Sequence, residues 1–289
     1  MDSKQTSFKT AFGISGNLLK WIAILTMLID HIGASIFRVY MLMNGSPANI
    51  YSIYRILRSV GRISFPIFIF LLVEGFYYTR SRKRYALQML LFSFLSEIPF
   101  DLAMYCTPFY FKSQNVFWTL LLGLVAICLM DWIKQRKVTP SSLWIKYYIQ
   151  ALIFLAFALL AEVLKTDYGY VGVTAIVTMY IAREGFHMQK MSQQGLVSRD
   201  LRYDGIDTQG LRYDTSDSIK IRLLRVVAFV LCSLTLLLST KSEIFSLFGV
   251  VPIFFYNGTR GQQMKYFFYL FYPVHLLLLY VVIRIMFPA

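Results

Sequence analysis

The chain has 289 residues, of which 57% are hydrophobic and 15% are charged, and its mean hydropathy is +0.56. Soluble domains contain about 45–50% apolar residues. Here the excess lies in runs of about 20 residues, the length that crosses a bilayer, so an ordinary soluble domain is excluded. The net charge of +14 would suit nucleic acid, but positively charged inner loops and anionic lipid explain it first in a membrane protein. We therefore predict a multi-pass membrane protein that contacts lipid and binds no nucleic acid.

The apolar runs predict an all-α bundle of about nine transmembrane helices. The runs at residues 169–186 and 244–256 are short and contain glycine or proline, so we expect them to be kinked, broken or only partly inserted. The whole chain, residues 1–289, is predicted to be one integral membrane domain. The nine runs lie at residues 18–40, 61–79, 85–105, 115–133, 143–165, 169–186, 222–240, 244–256 and 266–287.

Basic connections alternate with less charged ones along the chain, at residues 80–84, 134–137 and 259–265. Placing the basic connections inside also places the N-terminus in the cytosol and the C-terminus outside. The longest polar stretch, residues 187–221, falls on the inner side and contains the near-repeat LRYDGIDTQG and LRYDTSDS. It has too few apolar residues to form a core. We therefore expect a mobile cytosolic loop that carries His187 on its surface and is dispensable for chemistry.

The first apolar run, residues 18–38, carries Asp30 and His31 in its middle. An ionised side chain at that depth costs about 2.5–3.5 kcal/mol, so both residues are candidates for function. Lys20 precedes His31 by 11 residues, which on a helix places the two on one face and about 16 Å apart. Asp30 and His31 point about 100° apart, so they do not form a dyad with each other.

Further polar side chains lie inside later apolar runs. Glu97 and Asp101 are four residues apart and share a helix face, and we expect one of them to orient His31 from a neighbouring helix. His275, in the last run, is predicted to lie at the same depth as His31. Glu74, in the second run, either belongs to the site or is a buried acid satisfied by a neighbouring helix.

The motifs of several enzyme classes are absent from the sequence. Cys106, Cys128 and Cys232 lack metal-binding spacing, so we predict no metal. No GxSxG, HExxH or Walker-type loop is present, which leaves general acid–base chemistry at histidine. Three functions remain open on these grounds, namely an acyltransferase, a proton-coupled transporter and a non-enzymatic membrane subunit.

A turn before the last apolar run is a candidate anion site. Within the segment YNGTRG, Asn257 and Gly258 favour one tight turn and Gly261 favours another. Backbone N–H groups that converge there beside Arg260 and Lys265 would bind an anion such as a phosphate group. The alternative is a solvated turn with the basic residues that inner loops ordinarily carry.

Six segments together resemble the TraX family, which is named for a conjugal-transfer membrane protein that acetylates the N-terminus of pilin. The segments are LKWIAILTMLIDHIG, GRISFPIFIFLLVEGF, SEIPFDL, NVFWTLLLGL, YNGTRG and FYPVHLLLLY, and they extend from about residue 18 to residue 282. Residues 187–221 lie outside them. The spacing of Lys20 and His31 also resembles the Arg-x10-His pattern of the wider membrane acyltransferase group, with lysine in place of arginine.

The resemblance implies an acyltransferase of the bacterial cytoplasmic membrane that uses acetyl-coenzyme A from the cytosol, with His31 as the catalytic base. It leaves the acceptor open among a peptide amine, the pilin N-terminus and a glycan. The candidate site residues are His31, Asp30, Glu97 and Asp101 for catalysis, and Lys20, Arg62, Glu74, Asn257, Arg260, Lys265 and His275 for donor or acceptor binding.

Overall fold

A computed structural model describes residues 13–136, 143–193, 219–262 and 264–288, without the side chains of residues 185–193 and of Lys265. Helices make up these ranges, with no β-strand among them. A π-helical turn, Gly33–Phe37, joins the first two α-helices, and a 3₁₀ helix, Lys241–Gly249, precedes the tenth. The α-helices are α1 Gly16–Ile32, α2 Arg38–Asn44, α3 Ala48–Gly61, α4 Ser64–Tyr78, α5 Arg82–Tyr105, α6 Val116–Lys134, α7 Leu143–Val163, α8 Gly169–Gln193, α9 Ile219–Leu236, α10 Val250–Phe254 and α11 Lys265–Met286.

The prediction of an all-α protein is confirmed for the described residues. Six helical segments within these ranges are long and apolar enough to cross a bilayer. Helices α8 and α9, with 25 and 18 residues, do not belong to that set. The six segments are Gly16–Asn44, Ala48–Tyr78, Arg82–Tyr105, Val116–Lys134, Leu143–Val163 and Tyr266–Met286.

Two of the predicted spans have a different form in the structure. The run at residues 244–256 is broken, because the 3₁₀ helix gives way to the five residues of α10. The run at residues 169–186 instead belongs to α8, which continues without interruption to Gln193. An uninterrupted backbone hydrogen-bond ladder tolerates Gly172, since Gly costs only about 1 kcal/mol relative to Ala in a helix.

The range predicted for the loop, residues 187–221, includes helical residues at both of its ends. Helix α8 includes residues 187–193, and α9 begins at Ile219. Residues 194–218 and the side chain of His187 lie outside the described part, so the mobility of this segment stays a prediction. Hydropathy does not locate the ends of helices that extend beyond the bilayer, because polar residues outside the membrane also form helices.

Two backbone bridges define the ends of the bundle. Ile14 pairs with Tyr256, which brings the start of α1 beside the segment that follows α10. Gln114 pairs with Thr166, which brings together the connections before α6 and after α7. We call the end with Ile14 the near end and the end with Thr166 the far end. The near end is the one that the sequence places in the cytosol, and this orientation remains a prediction.

Helices α1 and α11 run side by side in the same direction. The ammonium group of Lys20 lies 5.3 Å from the centre of the Phe268 ring near one end of the pair, and Tyr40 packs on Phe287 at the other. Parallel packing of helices more than 200 residues apart in sequence is what places His31 opposite α11. The first and last apolar runs therefore pack together in the structure.

Candidate functional site

His31 and His275 contact each other inside the bundle. Nδ1 of His31 lies 2.7 Å from Nε2 of His275. The ring centres are 5.0 Å apart and the ring planes differ by 5°. This separation equals roughly the nitrogen–nitrogen distance plus two ring radii, so the hydrogen bond lies in the common plane of the rings. The prediction that the two histidines share one depth is confirmed.

The hydrogen bonds of His275 determine the tautomers of both rings. Its Nδ1 lies 2.7 Å from the carbonyl oxygen of Phe271, and a carbonyl only accepts, so Nδ1 carries the proton. In neutral His275, Nε2 is then an acceptor, and Nδ1 of His31 must donate to it. Nε2 of His31 is left with its lone pair. A proton-accepting nitrogen is therefore fixed by contacts within the protein.

Aromatic side chains surround the histidine pair. His275 is buried, and the Phe271 ring stacks on it at 4.8 Å. The Tyr272 ring contacts both imidazoles edge-on, at 5.9 Å from His31 and 5.6 Å from His275. His31 is only partly buried, and no partner for its Nε2 is found among the described residues. The pair therefore has a rigid, apolar back and one nitrogen that is free to meet a substrate.

Lys20 and His31 lie on one face of α1, as the 11-residue spacing predicts. Both side chains meet α11, Lys20 at Phe268 and His31 at His275. Immediately after His31, the hydroxyl of Ser35 donates to the carbonyl of His31 over 2.5 Å, inside the π-helical turn. Single π-helical turns within α-helices are frequent at functional sites.

Asp30 points away from the histidine pair and binds α3. Its Oδ2 accepts a hydrogen bond from Arg58, in an ion pair. The contact requires Gly61, because a Cβ atom there would lie 2.1 Å from Oδ1 of Asp30. The prediction that Asp30 and His31 do not form a dyad is confirmed. Sequence reasoning missed Arg58, although Ile50, Tyr54, Leu57 and Gly61 recur at the helical spacing of a packed face.

Arg62 lies at the far end and is bound by two buried groups. Its Nη1 donates to Glu243 over 2.8 Å and to the hydroxyl of Tyr168 over 3.2 Å. Glu243 is fully buried, and the Tyr168 ring stacks on Phe65 at 3.9 Å. The YNGTRG segment is at the opposite end, so of the two predicted roles of Arg62 this position does not fit donor binding, and acceptor binding stays a prediction. The sequence offered no signal for Glu243 beyond an acid at the edge of an apolar run.

Glu97 and Asp101 do not reach the histidine pair. Glu97 accepts from the side chain of Asn115 and, over 2.9 Å, from the indole N–H of Trp118. Asp101 accepts from the backbone N–H of Tyr110 over 2.7 Å. The expectation that one of them orients His31 is therefore wrong. Their spacing correctly predicts a shared face of α5, but that face is turned toward the connection between α5 and α6 and the start of α6, not toward α1.

Glu74 fits the second of its two interpretations, an acid satisfied by a neighbouring helix. Its Oε1 lies 2.7 Å from Nε of Arg183 on α8. Other ion pairs lie at the same near end, between Arg82 and Asp131 over 2.6 Å and between Lys134 and Glu184. These pairs join α4, α5, α6 and α8. Because desolvation offsets much of the attraction in a buried ion pair, such pairs add little to the free energy of unfolding.

The YNGTRG segment lies against the start of α1. The N–H of Gly16 donates to the carbonyl of Thr259 over 2.8 Å, and the N–H of Asn17 donates to that of Arg260 over 3.1 Å. The two predicted turns are present, with φ of 77° at Gly258 and 71° at Gly261. However, the segment presents carbonyls to α1, and the N–H of Thr259 is taken by Oδ1 of Asn257.

The prediction of converging free N–H groups is thus wrong for Asn257, whose N–H donates to the carbonyl of Ile14 over 3.0 Å, and for Thr259. The carbonyls of the segment face α1 because the first N–H groups of a helix need acceptors. The exposed side chain of Arg260 remains a candidate for donor binding. The side chain of Lys265 lies outside the described part.

Comparison with known proteins places this sequence in a family. Residues 15–194 and 206–283 match the family described as TraX protein, so only residues 195–205 of the predicted loop at 187–221 fall outside the match. The probable fimbrial assembly protein FimC, serogroup H1, of Dichelobacter nodosus is 28% identical over 284 residues, which covers 90% of this chain and 92% of the relative. No solved structure matches the chain significantly. The family match covers most of the sequence, and the chain therefore belongs to the TraX family.

Proposed function

We propose that this protein is a membrane acyltransferase that moves an acetyl group from cytosolic acetyl-coenzyme A to an acceptor amine or hydroxyl at or across the cell membrane. The observation that carries the proposal is the hydrogen bond between His31 and His275. It leaves Nε2 of His31 with a lone pair, at a partly exposed position in the interior of the bundle. A base held in this way is what acyl transfer to a weak nucleophile needs.

In the proposed reaction, the acceptor nitrogen or oxygen attacks the thioester carbonyl carbon while Nε2 of His31 takes its proton. The tetrahedral intermediate then loses the thiolate of coenzyme A, and the imidazolium returns the proton to that sulfur. His275 keeps the ring of His31 in one orientation, as the third residue of a catalytic triad orients the catalytic histidine. Because His275 is neutral, it positions the base without adding a negative charge to the site.

The donor would approach from the near end. Lys20 and His31 lie on one face of α1, about 16 Å apart along the axis. A pantetheine arm is long enough to span that distance with the phosphates held beside Lys20, Arg260 and Lys265 and the thioester beside His31. Lysine at position 20 supplies a point charge in place of the bidentate contact of an arginine.

The relatives favour a pilus component as the acceptor. The resemblance to the TraX family implies acetylation of a pilin N-terminus, and the relative from Dichelobacter nodosus is named for fimbrial assembly. We propose that a pilin-like peptide is the acceptor of this protein as well. The orientation of the bundle in the membrane and the use of acetyl-coenzyme A are parts of the same proposal.

The decisive experiment incubates the purified protein with acetyl-coenzyme A labelled in the acetyl group and measures label transfer to a pilin-like peptide and thioester hydrolysis. We expect His31→Ala to lower turnover by about 100-fold or more, since a positioned base contributes 10²–10⁴-fold. His187→Ala is the matched control, because it replaces the third histidine of the chain, which lies in the segment that the sequence places in the cytosol. Retention of more than about a tenth of the activity in His31→Ala would refute the assignment. Proton flux without label transfer would favour a transporter.

A further inference from the structure

Three carboxylates lie around two arginines at the far end of the bundle. Asp30 pairs with Arg58, and Glu243 pairs with Arg62. Asp167 lies within electrostatic range of both arginines and of Asp30, but it makes no ion pair with any described residue. When all three carboxylates are ionised, these five residues carry one negative charge in excess. One more cation beside them would neutralise this excess.

Two of these carboxylates have an oxygen without a partner. Oε2 of Glu243 and Oδ1 of Asp30 are buried and accept no hydrogen bond from any described residue. Glu243 is fully buried, so bulk solvent does not reach its second oxygen. A buried carboxylate oxygen without a donor is unfavourable, and a ligand that brings N–H groups with a positive charge would satisfy it.

The segment next to these acids is held in an unusual conformation. Lys165 and Tyr168 adopt positive φ angles of 53° and 64°, which non-glycine residues rarely do. The hydroxyl of Thr119 donates to the carbonyl of Asp167, and the Tyr168 hydroxyl accepts from Arg62. These contacts hold the carboxylate of Asp167 beside the arginines, and backbone strain of this kind is found at ligand sites.

A cleft lies beside this region at the far end. It has a volume of about 430 Å³ and is lined by the segment from Lys165 to Val171, by Lys112, Ser113 and Glu162, and by Leu238 and Ser239, which follow α9. Asp167 and Tyr168 are part of its wall, and Arg62 joins Tyr168 to Glu243, which does not itself line the cleft. The cleft is large enough for the end of a peptide, and it opens at the end opposite to the one where the donor is proposed to bind.

We infer that Glu243 and Asp167 bind the protonated amino group of the acceptor, a peptide that enters through this cleft. The inference rests on the proposed function and assigns its acceptor site. An α-amino group with a pKa of about 7.7–8.0 is mostly cationic at neutral pH, whereas only the neutral amine is a nucleophile. A site that binds the ammonium and then removes a proton serves both needs, and a hydroxyl acceptor would need neither.

The protons and bonds of the step balance. The ammonium gives one proton to the carboxylate of Glu243, and the neutral amine passes to His31. Its nitrogen forms a bond to the thioester carbonyl carbon, and the carbon–sulfur bond breaks. His31 carries the second N–H proton to the departing thiolate. Glu243 then releases its proton to water, so one proton is produced for each amide formed.

The environment of Glu243 suits a proton acceptor of this kind. Burial raises its pKa to about 7, although Arg62 opposes the shift. The ionisable groups that face Glu243 are Arg62 and Tyr168 at close range and Asp30 and Asp167 farther away. The carboxylate is therefore half ionised near neutral pH and binds a cation better as the pH rises through about 7.

The test measures binding without the donor, so that it does not depend on acetyl transfer. The purified protein is titrated with a short apolar peptide that has a free N-terminal amine and with the same peptide carrying an N-formyl group. We expect the free amine to bind about 10-fold tighter or more, since a charge-assisted hydrogen bond contributes at least that factor. This preference should disappear in Glu243→Gln and in Asp167→Asn, and it should weaken as the pH falls below about 7.

Glu162→Gln is the matched control, because Glu162 is an exposed acid on the wall of the same cleft that makes no ion pair with a described residue. Equal binding of the two peptides to the natural protein would overturn the inference. A preference that survives in Asp167→Asn would also overturn it, and this variant decides if Glu243→Gln fails to fold with Arg62 unpaired. An equal loss in Glu162→Gln would show only general attraction by negative charge. Intact amine preference without any acetyl transfer would instead refute the proposed function.

Discussion

Nδ1 of His31 lies 2.7 Å from Nε2 of His275, although 244 residues separate them in the chain. The bond joins α1 and α11, the first and the last long helices of the described bundle. The site therefore requires these two helices to pack together. The two histidines therefore have separate proposed roles. His31 accepts the proton, and His275 holds the ring of His31 in one orientation.

Replacing His275 should affect turnover more than donor affinity. In His275→Leu, Nδ1 of His31 loses its acceptor, the ring is no longer held in one tautomer, and we expect kcat to fall by about 10- to 100-fold. In His275→Gln, the side-chain amide oxygen can still accept from His31, so part of the activity should return. Steady-state acetyl transfer with calorimetry of coenzyme A binding provides the measurement. Equal activity of the two variants would contradict a positioning role.

Replacing Gly61 should destabilise the junction between α1 and α3. A Cβ atom at this position would lie 2.1 Å from Oδ1 of Asp30, and overpacking in a helix interface costs about 1–3 kcal/mol. We expect Gly61→Ala to lower the thermal unfolding temperature in detergent, whereas Ser52→Ala, on the exposed side of α3, should leave it nearly unchanged. If both variants unfold at the temperature of the natural protein, the close contact between Asp30 and α3 is not present.

Replacing Glu97 should lower stability and spare the chemistry. Glu97 accepts from Asn115 and Trp118, and removing its charge weakens bonds that are worth about 1.5–3 kcal/mol each when one partner is charged. We expect Glu97→Gln to unfold at a lower temperature while kcat stays within about threefold of the original. A loss of kcat of about 100-fold at unchanged stability would return Glu97 to the catalytic site.

Replacing Arg260 should weaken donor binding. The exposed side chain beside the start of α1 is distant from the reacting carbonyl, so its contact with a phosphate would be the same in the ground and transition states. We expect Arg260→Ala to raise the apparent KM for acetyl-coenzyme A by up to about 5-fold with little change in kcat. Lys241→Ala removes an exposed charge at the far end and is the control. Donor affinity that is unchanged by calorimetry would leave the turn with a structural role alone.

Replacing residues 195–205 should leave acetyl transfer intact. This segment is the gap in the family match, and it lies within the polar stretch that the sequence places in the cytosol. A Gly/Ser linker of the same length keeps the reach between α8 and α9, so we expect full activity and normal insertion. Resistance of the segment to protease added to inside-out vesicles would contradict its cytosolic location.

Several properties of the protein follow from its sequence alone. The length and apolar content of the runs predict the helices, because an apolar segment of about 20 residues that crosses a bilayer must satisfy its backbone hydrogen bonds internally, as a helix does. Helical periodicity puts Lys20 and His31 on one face of α1 and separates Asp30 from His31, and both expectations hold in the structure. Counting residues from the span ends also places His31 and His275 at one depth. Each of these inferences uses only the geometry of a single helix.

The partners of these side chains are decided by the tertiary structure. The spacing of Glu97 and Asp101 defines a face of α5, yet the rotation of α5 turns that face toward Asn115 and Tyr110, and His275 takes the place beside His31. Within a bilayer, helices lack a hydrophobic drive toward one another, so their neighbours are chosen by close packing and buried polar contacts, as between Gly61 and Asp30. Such contacts join residues that are far apart in sequence, so the periodicity of a single helix does not predict them.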